Sequence, residues 1–316
     1  MFPTRPVNSI SAMTTAIVFP GMGPSRFADA GRFMLLNPYA RKRLAVADEV
    51  LGYRVAERFR ESGADYSEFA QVAFLVNCLA LADWAADAQG EEPSVCVGPS
   101  FGQKAATAYA GSLSYEDTLL MTAAMARCEE EYFREHHQDV VTHSFTRLPA
   151  DRLAEALSEL DERGEWYEFS GYLDDGFHLL SLREGRLDWF KKRISELGGY
   201  SMYSMRPPVH AKSFAGLREL VEREVLSRFT VAAPRIPLVA DQDGTVLDSA
   251  EGVRTMLLDT FDRPIDWPAI VTSLDGLGVK KLLFSGADNL FRRLDRTKRA
   301  FEVVALSPKT AVAARR

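Results

Sequence analysis

Residues 94–106, with the sequence SVCVGPSFGQKAA, decide the fold of this chain. A short apolar run of strand type ends in Gly-x-Ser-x-Gly, and an Ala-rich run of helical type follows at once. This order predicts a tight strand-to-helix turn that exposes the hydroxyl of Ser100 at the N-terminus of the helix. A side chain at Gly98 or Gly102 would collide with the neighbouring strand or helix as the backbone turns. The pattern is typical of a nucleophile elbow, although an ordinary glycine-rich turn capped by a serine has the same residues.

Composition favours a globular protein. The chain has 316 residues, 47% hydrophobic and 26% charged, which is enough for one main domain and a smaller one. Its net charge of −6 argues against a nucleic-acid-binding protein, for which a basic face is expected. There is no run of about 18 apolar residues, and residues 1–13 lack the order of a signal peptide. The three cysteines form no Cys-x-x-Cys pair, and we therefore expect reduced thiols and no bound metal. From the charge and the lack of a long apolar run, we expect a cytoplasmic protein with neither nucleic acid nor membrane as a partner.

The segments around the elbow alternate between strand and helix. Residues 15–19 are predicted to form a buried strand, with the loop 20–24 at its carboxyl end, where ligands of open α/β sheets collect. Helical spacing of apolar residues predicts a sheet-covering helix over 28–51, and residues 69–88 predict a helix buried on nearly all sides. A further helix is predicted over 115–137. Beyond residue 207 we predict helices on both sides of 263–267, a helix over 214–229, strands over 237–240 and 280–284, and a basic helix after residue 288.

Between these parts the hydrophobic period changes. Residues 140–206 predict the order β-α-β-β-α-β, which is that of a ferredoxin-like domain. Its strands are expected over 140–145, 166–172, 177–182 and 200–205, and its helices over 150–162 and 187–197. We therefore predict an α/β-hydrolase-like large domain with a parallel-sheet core, formed by residues 1–139 and 207–316, and a ferredoxin-like insert formed by residues 140–206.

Several short motifs occur in a specific order. They are Phe-Pro-Gly-Met-Gly at 19–23, Gln71, the Gly-x-Ser-x-Gly turn at 98–102, Ala-Gly at 110–111 and Pro-Pro-Val-His at 207–210. In this order the chain resembles malonyl-CoA:acyl-carrier-protein transacylases and the acyltransferase domains of polyketide synthases, from residue 15 to about residue 304. The resemblance implies acyl transfer through an acyl-serine intermediate.

The resemblance also assigns roles to individual residues. Ser100 would be the nucleophile and His210 its general base. The backbone N–H groups of Met22 and Phe101 would form the oxyanion hole, and the backbone carbonyl of Asp266 would orient the histidine. Taken without the resemblance, a lone histidine after two prolines is more often a surface or core residue.

One departure from the family concerns the acyl pocket, to which the resemblance assigns Gln71, Met125 and Val209. Counted without a gap from the nucleophile, the arginine that grips the malonyl carboxylate falls on Met125. Arg127 lies two residues further, about 200° around a helix, unless the register slips by one turn. Because a buried carboxylate needs a buried cation, we expect an acyl group without a free carboxylate.

An acyltransferase without this arginine resembles the VinK-type trans-acting enzymes of macrolactam polyketide assembly, as in vicenistatin. That resemblance implies an aminoacyl or dipeptidyl group that moves between the phosphopantetheine thiols of a donor and an acceptor acyl carrier protein. It implies no bound cofactor, and we expect a monomer. Carrier proteins are acidic, so Arg147, Arg206 and Arg293 are candidates for docking them, although each could simply lie on a solvated surface.

Three other functions remain open at this point. A malonyl-CoA:acyl-carrier-protein transacylase would need Arg127 in the pocket. A proofreading thioester hydrolase would use the same Ser100 and His210 but admit water. A non-catalytic carrier-docking protein is disfavoured because both of these residues are present.

Overall fold

A computed structural model describes residues 14–313, in which helices surround two β-sheets. The sequence prediction for residues 1–13 therefore lies outside the described residues. The strands of the described part are β1 (Thr14–Val18), β2 (Val95–Val97), β3 (Val140–Thr146), β4 (Tyr167–Asp174), β5 (Phe177–Arg183), β6 (Tyr200–Met205), β7 (Leu238–Val239), β8 (Val246–Leu247), β9 (Ile265–Asp266), β10 (Val279–Ser285) and β11 (Glu302–Leu306). Its α-helices are α1 (Phe27–Leu36), α2 (Pro38–Leu51), α3 (Val55–Glu61), α4 (Glu68–Gln89), α5 (Gly102–Tyr109), α6 (Tyr115–His136), α7 (Ala150–Glu162), α8 (Leu187–Glu196), α9 (Ala215–Glu224), α10 (Ala250–Asp262), α11 (Trp267–Gly276), α12 (Asp295–Ala300) and α13 (Pro308–Ala313).

The larger sheet has the strand order β11-β10-β1-β2-β7-β8. All its neighbouring strands are parallel except β7 and β8. The carboxyl ends of β1, β2, β7 and β10 therefore lie along one edge, where an open α/β sheet places its ligand site. The predicted parallel-sheet core of the large domain is confirmed.

Helix α4 passes through the core beside this sheet. Its length and mean hydropathy of 1.5 would suffice to cross a membrane, but 83% of its most apolar window is buried within the protein. Burial on all sides is typical of a core helix, and the predicted buried helix at this position is confirmed. Of the cysteines, Cys78 and Cys96 are buried, Cys128 is half-buried, and none of the three forms a disulfide.

The single helix predicted over 28–51 was wrong, because the segment forms two helices that meet at Asn37. The Asn37 side chain accepts hydrogen bonds from the backbone N–H groups of Tyr39 (3.0 Å) and Ala40 (3.3 Å). Pro38 occupies the first turn of α2, where its missing N–H costs nothing. An Asn-Pro pair therefore ends one helix and begins the next.

The smaller sheet has the order β6-β3-β5-β4-β9, and its first four strands with α7 and α8 form the predicted ferredoxin-like arrangement. The fifth strand was not predicted. It is β9, which comes from the large-domain part of the chain and pairs in parallel with β4, with Gly171 opposite Ile265. This pairing and a shared apolar cluster around Leu179 and Trp267 join the two parts. The exact domain boundaries remain a prediction.

Candidate active site

The nucleophile elbow forms between β2 and α5. Ser100 lies at its apex with a backbone φ of 55°, in the left-handed region that strains a non-glycine residue by about 1–3 kcal/mol. A Cβ atom at Gly98 would collide with the carbonyl group of Gly102, and one at Gly102 would collide with the carbonyl oxygen of Phe19. Both glycines are therefore required by the close approach of backbone to backbone, as the sequence predicted.

His210 reaches Ser100 from a position 110 residues away in the chain, with 2.7 Å between Nε2 and the serine Oγ. The histidine is fully buried, and its backbone also has a positive φ, of 69°. The carbonyl oxygen of Phe261 accepts its backbone N–H at 3.0 Å, which anchors the segment to the end of α10. The two predicted catalytic side chains are thus in direct contact.

Burial lowers the pKa of His210 to about 4, and the backbone carbonyl of Arg263 raises it by a smaller amount. The imidazole is therefore neutral at pH 7 and able to take a proton from Ser100. If Nε2 accepts that proton, the ring N–H is on Nδ1. Nδ1 has no hydrogen-bond partner of regular geometry within residues 14–313.

The assignment of Asp266 as the residue that orients His210 was wrong. The backbone N–H of Asp266 donates to the carbonyl oxygen of Asp241 at 2.7 Å. Its carboxylate caps α11 by accepting from the backbone N–H of Ala269 at 2.9 Å. The carbonyl that acts on the ring belongs to Arg263, three residues earlier. The family resemblance placed this carbonyl three residues too far along the chain. The reason is that α10 ends in an extended residue, Arg263, which turns the chain beside the histidine.

A buried carboxylate below the elbow was not predicted. Asp241 Oδ2 accepts the backbone N–H of Ser100 at 2.6 Å, and its Oδ1 accepts from Gln103 Nε2. Burial raises the pKa of Asp241 to about 7, while the hydrogen bonds from Ser100 and Gln103 lower it by less. The available signal was the position of Asp241 directly after β7, at the same sheet edge as the elbow.

The two predicted oxyanion donors are available. Neither the Met22 nor the Phe101 backbone N–H donates a hydrogen bond to another residue of the described range. The Ser100 N–H, in contrast, is already bound to Asp241. The arrangement leaves Met22 and Phe101 free to donate to a substrate oxygen, as the assignment requires, and their role remains a prediction.

A cavity beside Ser100, here called the acyl pocket, has a volume of about 80 Å³. Its lining includes all three predicted acyl-pocket residues, Gln71, Met125 and Val209. Met125 is fully buried there. Arg127 does not reach the pocket, because its side chain is 60% exposed and bonds Glu68 at 2.8 Å.

The acyl pocket nevertheless contains a cation that the sequence analysis overlooked. Lys104 is buried in its lining, and its Nζ donates to Gln71 Oε1 at 3.1 Å. Glu129, also buried, lies 3.8 Å from the same Nζ and accepts from Gln71 Nε2 at 3.3 Å. The signal was available in the sequence, since Lys104 lies four residues after Ser100, and Glu129 one helical turn after Met125.

Two further cavities adjoin this site. One, here called the outer cavity, has a volume of about 480 Å³ and is lined by Ser100, Met22 and the exposed Arg293. The other, here called the side cavity, has a volume of about 570 Å³ and shares Gln71 and Glu129 with the acyl pocket. Ser100 therefore stands where the acyl pocket meets the outer cavity.

The three arginines proposed to bind the carrier protein do not lie together. Arg293 lines the outer cavity, and no ion pair is found for it in the described part of the chain. Arg206 lines the side cavity and pairs with Glu184. Arg147 lines neither cavity and lies over the ring of Tyr200. Among them, only Arg293 shares a cavity with the nucleophile.

Known proteins resemble this chain in part of its sequence and in its whole fold. A family model described as the VinK acyltransferase small domain matches residues 144–205. No curated protein sequence matches. A solved complex described as a type II polyketide synthase acyl-carrier protein with its malonyl-transacylase has a TM-score of 0.83 at 19% identity, covering 95% of this chain and 98% of that chain. FabD from Acinetobacter baumannii has a TM-score of 0.82 at 18% identity, covering 96% and 98% of the two chains, and the Coxiella burnetii malonyl CoA-acyl carrier protein transacylase has a TM-score of 0.81 at 19% identity, covering 96% of each.

This chain has the malonyl-CoA:acyl-carrier-protein transacylase fold. The transacylase fold accounts for both sheets, since the similarity extends over almost the whole chain. The match at 144–205 covers β4, β5, β6 and the end of β3, so this part of the smaller sheet is similar to the VinK acyltransferase small domain. The resemblance inferred from the ordered motifs is thus confirmed for the fold and for the insert. At these identities the structural likeness shows the transacylase architecture alone.

Proposed function

We propose that this protein is an acyltransferase that moves an acyl group between the phosphopantetheine thiols of two acyl carrier proteins. The observation that supports it best is the 2.7 Å contact of Ser100 Oγ with His210 Nε2, at the junction of the acyl pocket and the outer cavity. A nucleophile between two cavities suits a reaction in which the acyl group enters one and the thiol leaves through the other.

The first half-reaction follows from this geometry. His210 Nε2 takes the proton of the Ser100 hydroxyl while Oγ attacks the thioester carbonyl carbon. The carbonyl oxygen becomes an oxyanion that the N–H groups of Met22 and Phe101 stabilise, each by about 3 kcal/mol. The C–S bond then breaks, the thiolate takes the proton from His210, and an acyl ester remains on Ser100.

The second half-reaction is the reverse with a different thiol. His210 takes the proton of the acceptor phosphopantetheine thiol, and its sulfur attacks the ester carbonyl. The C–O bond to Ser100 breaks, and Oγ recovers the proton from His210. Water in place of the thiol would hydrolyse the ester, which is the reaction of the proofreading alternative.

The acyl group is proposed to lack a free carboxylate, and we favour the aminoacyl or dipeptidyl groups implied by the resemblance to macrolactam-assembly enzymes. Support comes from Met125, which lines the acyl pocket at the position that the resemblance gives to the family's arginine, and from Arg127, which pairs with Glu68. Lys104 is the one observation that favours a malonyl group instead. It is already bound to Gln71 and faces Glu129, so a malonyl carboxylate would meet a carboxylate of the protein.

Intact-protein mass spectrometry tests the proposal. Wild-type protein incubated with an acyl-loaded carrier protein should gain the acyl mass, and an unloaded second carrier should then remove it. Ser100→Ala should gain no mass, and His210→Ala should load slower by about 100- to 10,000-fold. The exposed Ser94, changed to Ala, is the matched control and should load normally.

Three results would contradict parts of this function. A covalent adduct on the Ser100→Ala protein would mean that the nucleophile is another residue. Loss of the acyl group to water as fast as to the second carrier would favour the hydrolase. Rapid loading from malonyl-CoA would favour the malonyl transacylase.

A further inference from the structure

The Lys104–Gln71–Glu129 network divides the acyl pocket from the side cavity. Gln71 and Glu129 line both cavities, whereas Lys104 lines the acyl pocket alone. The Gln71 amide links the two charges, because its oxygen accepts from Lys104 and its nitrogen donates to Glu129. We call these three side chains the neck. An acyl chain that extends from the acyl pocket into the side cavity would pass these side chains.

The neck has hydrogen-bonding capacity that the protein does not use. A carboxylate offers about four acceptor sites, and within residues 14–313 Glu129 receives one regular hydrogen bond, from Gln71. Its oxygen nearest Lys104 is 3.8 Å from Nζ, which is too far for a hydrogen bond. Glu129 is buried, with 11% of its side chain exposed. Such a group gains more than an exposed carboxylate when a donor reaches it.

A second observation at the same place points to a ligand. Tyr66 lines both the acyl pocket and the side cavity, and its buried hydroxyl has no hydrogen-bond partner within residues 14–313. An unpartnered buried hydroxyl destabilises the fold, because it loses its hydrogen bonds to water and gains none in return. Burial keeps the pKa of Tyr66 well above its usual range, so the group is a neutral hydroxyl that can both donate and accept.

The charges around the neck favour a cation over an anion. Beyond the neck, the side cavity is lined by Asp65 and Glu130, for which the described residues contain no ion-pair partner. The two arginines that line the same cavity form ion pairs with acidic residues that do not line it. Arg206 pairs with Glu184, and Arg134 lies near Glu131 and Glu135.

The positive charge of Lys104 does not reverse this preference for a cation. Lys104 is held by the Gln71 carbonyl oxygen at 3.1 Å and lies 4.7 Å from the centre of the Phe101 ring. Burial also lowers its pKa, against the effect of Glu129. A carboxylate that reached Lys104 would stand beside Glu129, whereas an ammonium group that reached Glu129 would also face the acidic side cavity.

We propose that the neck is the specificity site of the acyl pocket and selects acyl chains that carry a protonated amine, which donates to Glu129 and Tyr66 while the rest of the chain extends toward the side cavity. This inference rests on the proposed acyl transfer to Ser100. Lys104 and Gln71 position Glu129, and no step of the chemistry uses them.

The test uses N-acetylcysteamine thioesters and measures kcat/KM for acylation of Ser100. The donors form a series of ω-aminoacyl chains of increasing length, each matched by a chain in which a methyl group replaces the ammonium. At the length that reaches the neck, the wild-type protein should prefer the amine by about 10- to 100-fold, as expected for one charge-assisted hydrogen bond in a buried site. Glu129→Gln should abolish that preference, because kcat/KM should fall further for the amine series than for the methyl series of the same length.

Two further variants separate recognition from folding. Tyr66→Phe removes only the unpartnered hydroxyl, so it should leave thermal stability unchanged or higher and reduce the amine preference by several-fold. Glu130→Gln, exposed on the next residue of α6, should retain most of the preference. The loss in Glu129→Gln should appear mainly in KM, since the amine is bound equally before and during acyl transfer.

The outcomes differ for the two proposals. Acylation of Ser100 with equal kcat/KM for amine and methyl chains at every length would overturn the neck's role and leave the acyl transfer intact. Preferred loading from malonyl-CoA that is lost in Lys104→Met would also overturn it, because the neck would then bind an anion. Failure of every donor to acylate Ser100 would overturn both.

Discussion

Asp241 holds the nucleophile by its backbone, since its Oδ2 accepts the N–H of Ser100 at 2.6 Å. Its second oxygen accepts from the Gln103 amide, whose own oxygen is buried without a partner within residues 14–313. Burial raises the pKa of this carboxyl to about 7. The elbow therefore rests on a carboxyl group that changes its protonation near neutral pH, and a protonated Asp241 could donate to the Gln103 oxygen once the amide rotates.

Asp241→Asn should change how stability depends on pH. Between pH 4 and 7 the unfolded Asp241 is ionised while the folded one keeps its proton, so this residue makes the free energy of unfolding fall as pH rises through that window. Asparagine cannot titrate, and the stability of the variant relative to wild type should rise by about 1.4 kcal/mol per pH unit across that window. Denaturant unfolding at several pH values measures this difference.

The expected sign can be checked against a neighbouring residue. Asp243 is in the same turn, and hydrogen bonds from Thr245 and Arg263 outweigh its burial and lower its pKa. Asp243→Asn should therefore lose stability relative to wild type as pH rises toward the usual carboxyl pKa of about 3.9, which is the opposite trend in a lower pH window. A parallel pH profile for Asp241→Asn and wild type would mean that Asp241 is ionised throughout.

Acylation should persist at an unusually low pH. Because burial lowers the pKa of His210 to about 4, the neutral base remains available well below the usual histidine pKa of about 6.5. With an uncharged acyl donor, kcat/KM should fall only as pH approaches about 4, as long as the protein is folded. In Asp241→Asn, kcat/KM should fall at the same low pH as in wild type, because His210 still titrates there. The variant removes only Asp241, the other group that titrates beside Ser100. A fall of kcat/KM near pH 6.5 would indicate that His210 is in contact with solvent.

The parts of this structure that the sequence predicted depend on local rules. The elbow follows from two glycines that must accommodate backbone contacts, and α6 begins directly after Ser114, whose hydroxyl caps the helix by accepting the Asp117 N–H at 2.9 Å. The ferredoxin-like insert follows from the periods of its own strands and helices. Most of the decisive contacts join near neighbours in the chain, such as Gly98 with Gly102 and Ser114 with Asp117.

The parts that were missed depend on contacts between distant segments. Asp241 meets Ser100 across 141 residues, and β9 joins a sheet built from another part of the chain. Lys104 and Glu129 looked like ordinary helix charges, because their burial is set by how α5 and α6 pack rather than by either helix alone. The histidine's carbonyl partner was misplaced by three residues, since the bend at Arg263 leaves no trace in the hydrophobic pattern.

Met125→Arg should raise loading from malonyl-CoA above that of wild type. Met125 is fully buried in the acyl pocket, and a guanidinium there would offer the malonyl carboxylate a bidentate partner. Glu129 lies one turn further on the same helix and would compete for it, so the gain should be partial. The larger side chain should cost about 1–3 kcal/mol of stability through overpacking.

Arg127 provides the matched control for this change. Arg127→Ala should leave malonyl loading unchanged, because the Arg127 side chain is 60% exposed and pairs with Glu68 outside the acyl pocket. A loss of malonyl loading in Arg127→Ala would show that this arginine enters the pocket in solution and would restore the malonyl reaction.

Charge reversal at Arg293 or Arg147 should weaken transfer from a carrier-bound donor without affecting the chemistry. Arg293 is exposed in the outer cavity beside Ser100, and Arg147 is exposed on the small domain, with no ion pair for either within the described range. The phosphopantetheine arm keeps the acidic carrier at the rim of the site, where each exposed ion pair contributes about 0.2–1 kcal/mol. The loss should therefore be a few-fold in the association rate and should steepen with salt.

Small donors separate docking from catalysis. Arg293→Glu and Arg147→Glu should react normally with an N-acetylcysteamine thioester, because that donor has no acidic helix to bind. Arg60→Glu, exposed on α3 and absent from the lining of the acyl pocket and the outer cavity, should behave as wild type with both kinds of donor. Because Arg293 shares a cavity with Ser100 and Arg147 does not, Arg293→Glu should give the larger loss with the carrier. Equal losses with carrier-bound and small donors would place these arginines in substrate binding or folding, and the carrier would then have to dock on another face.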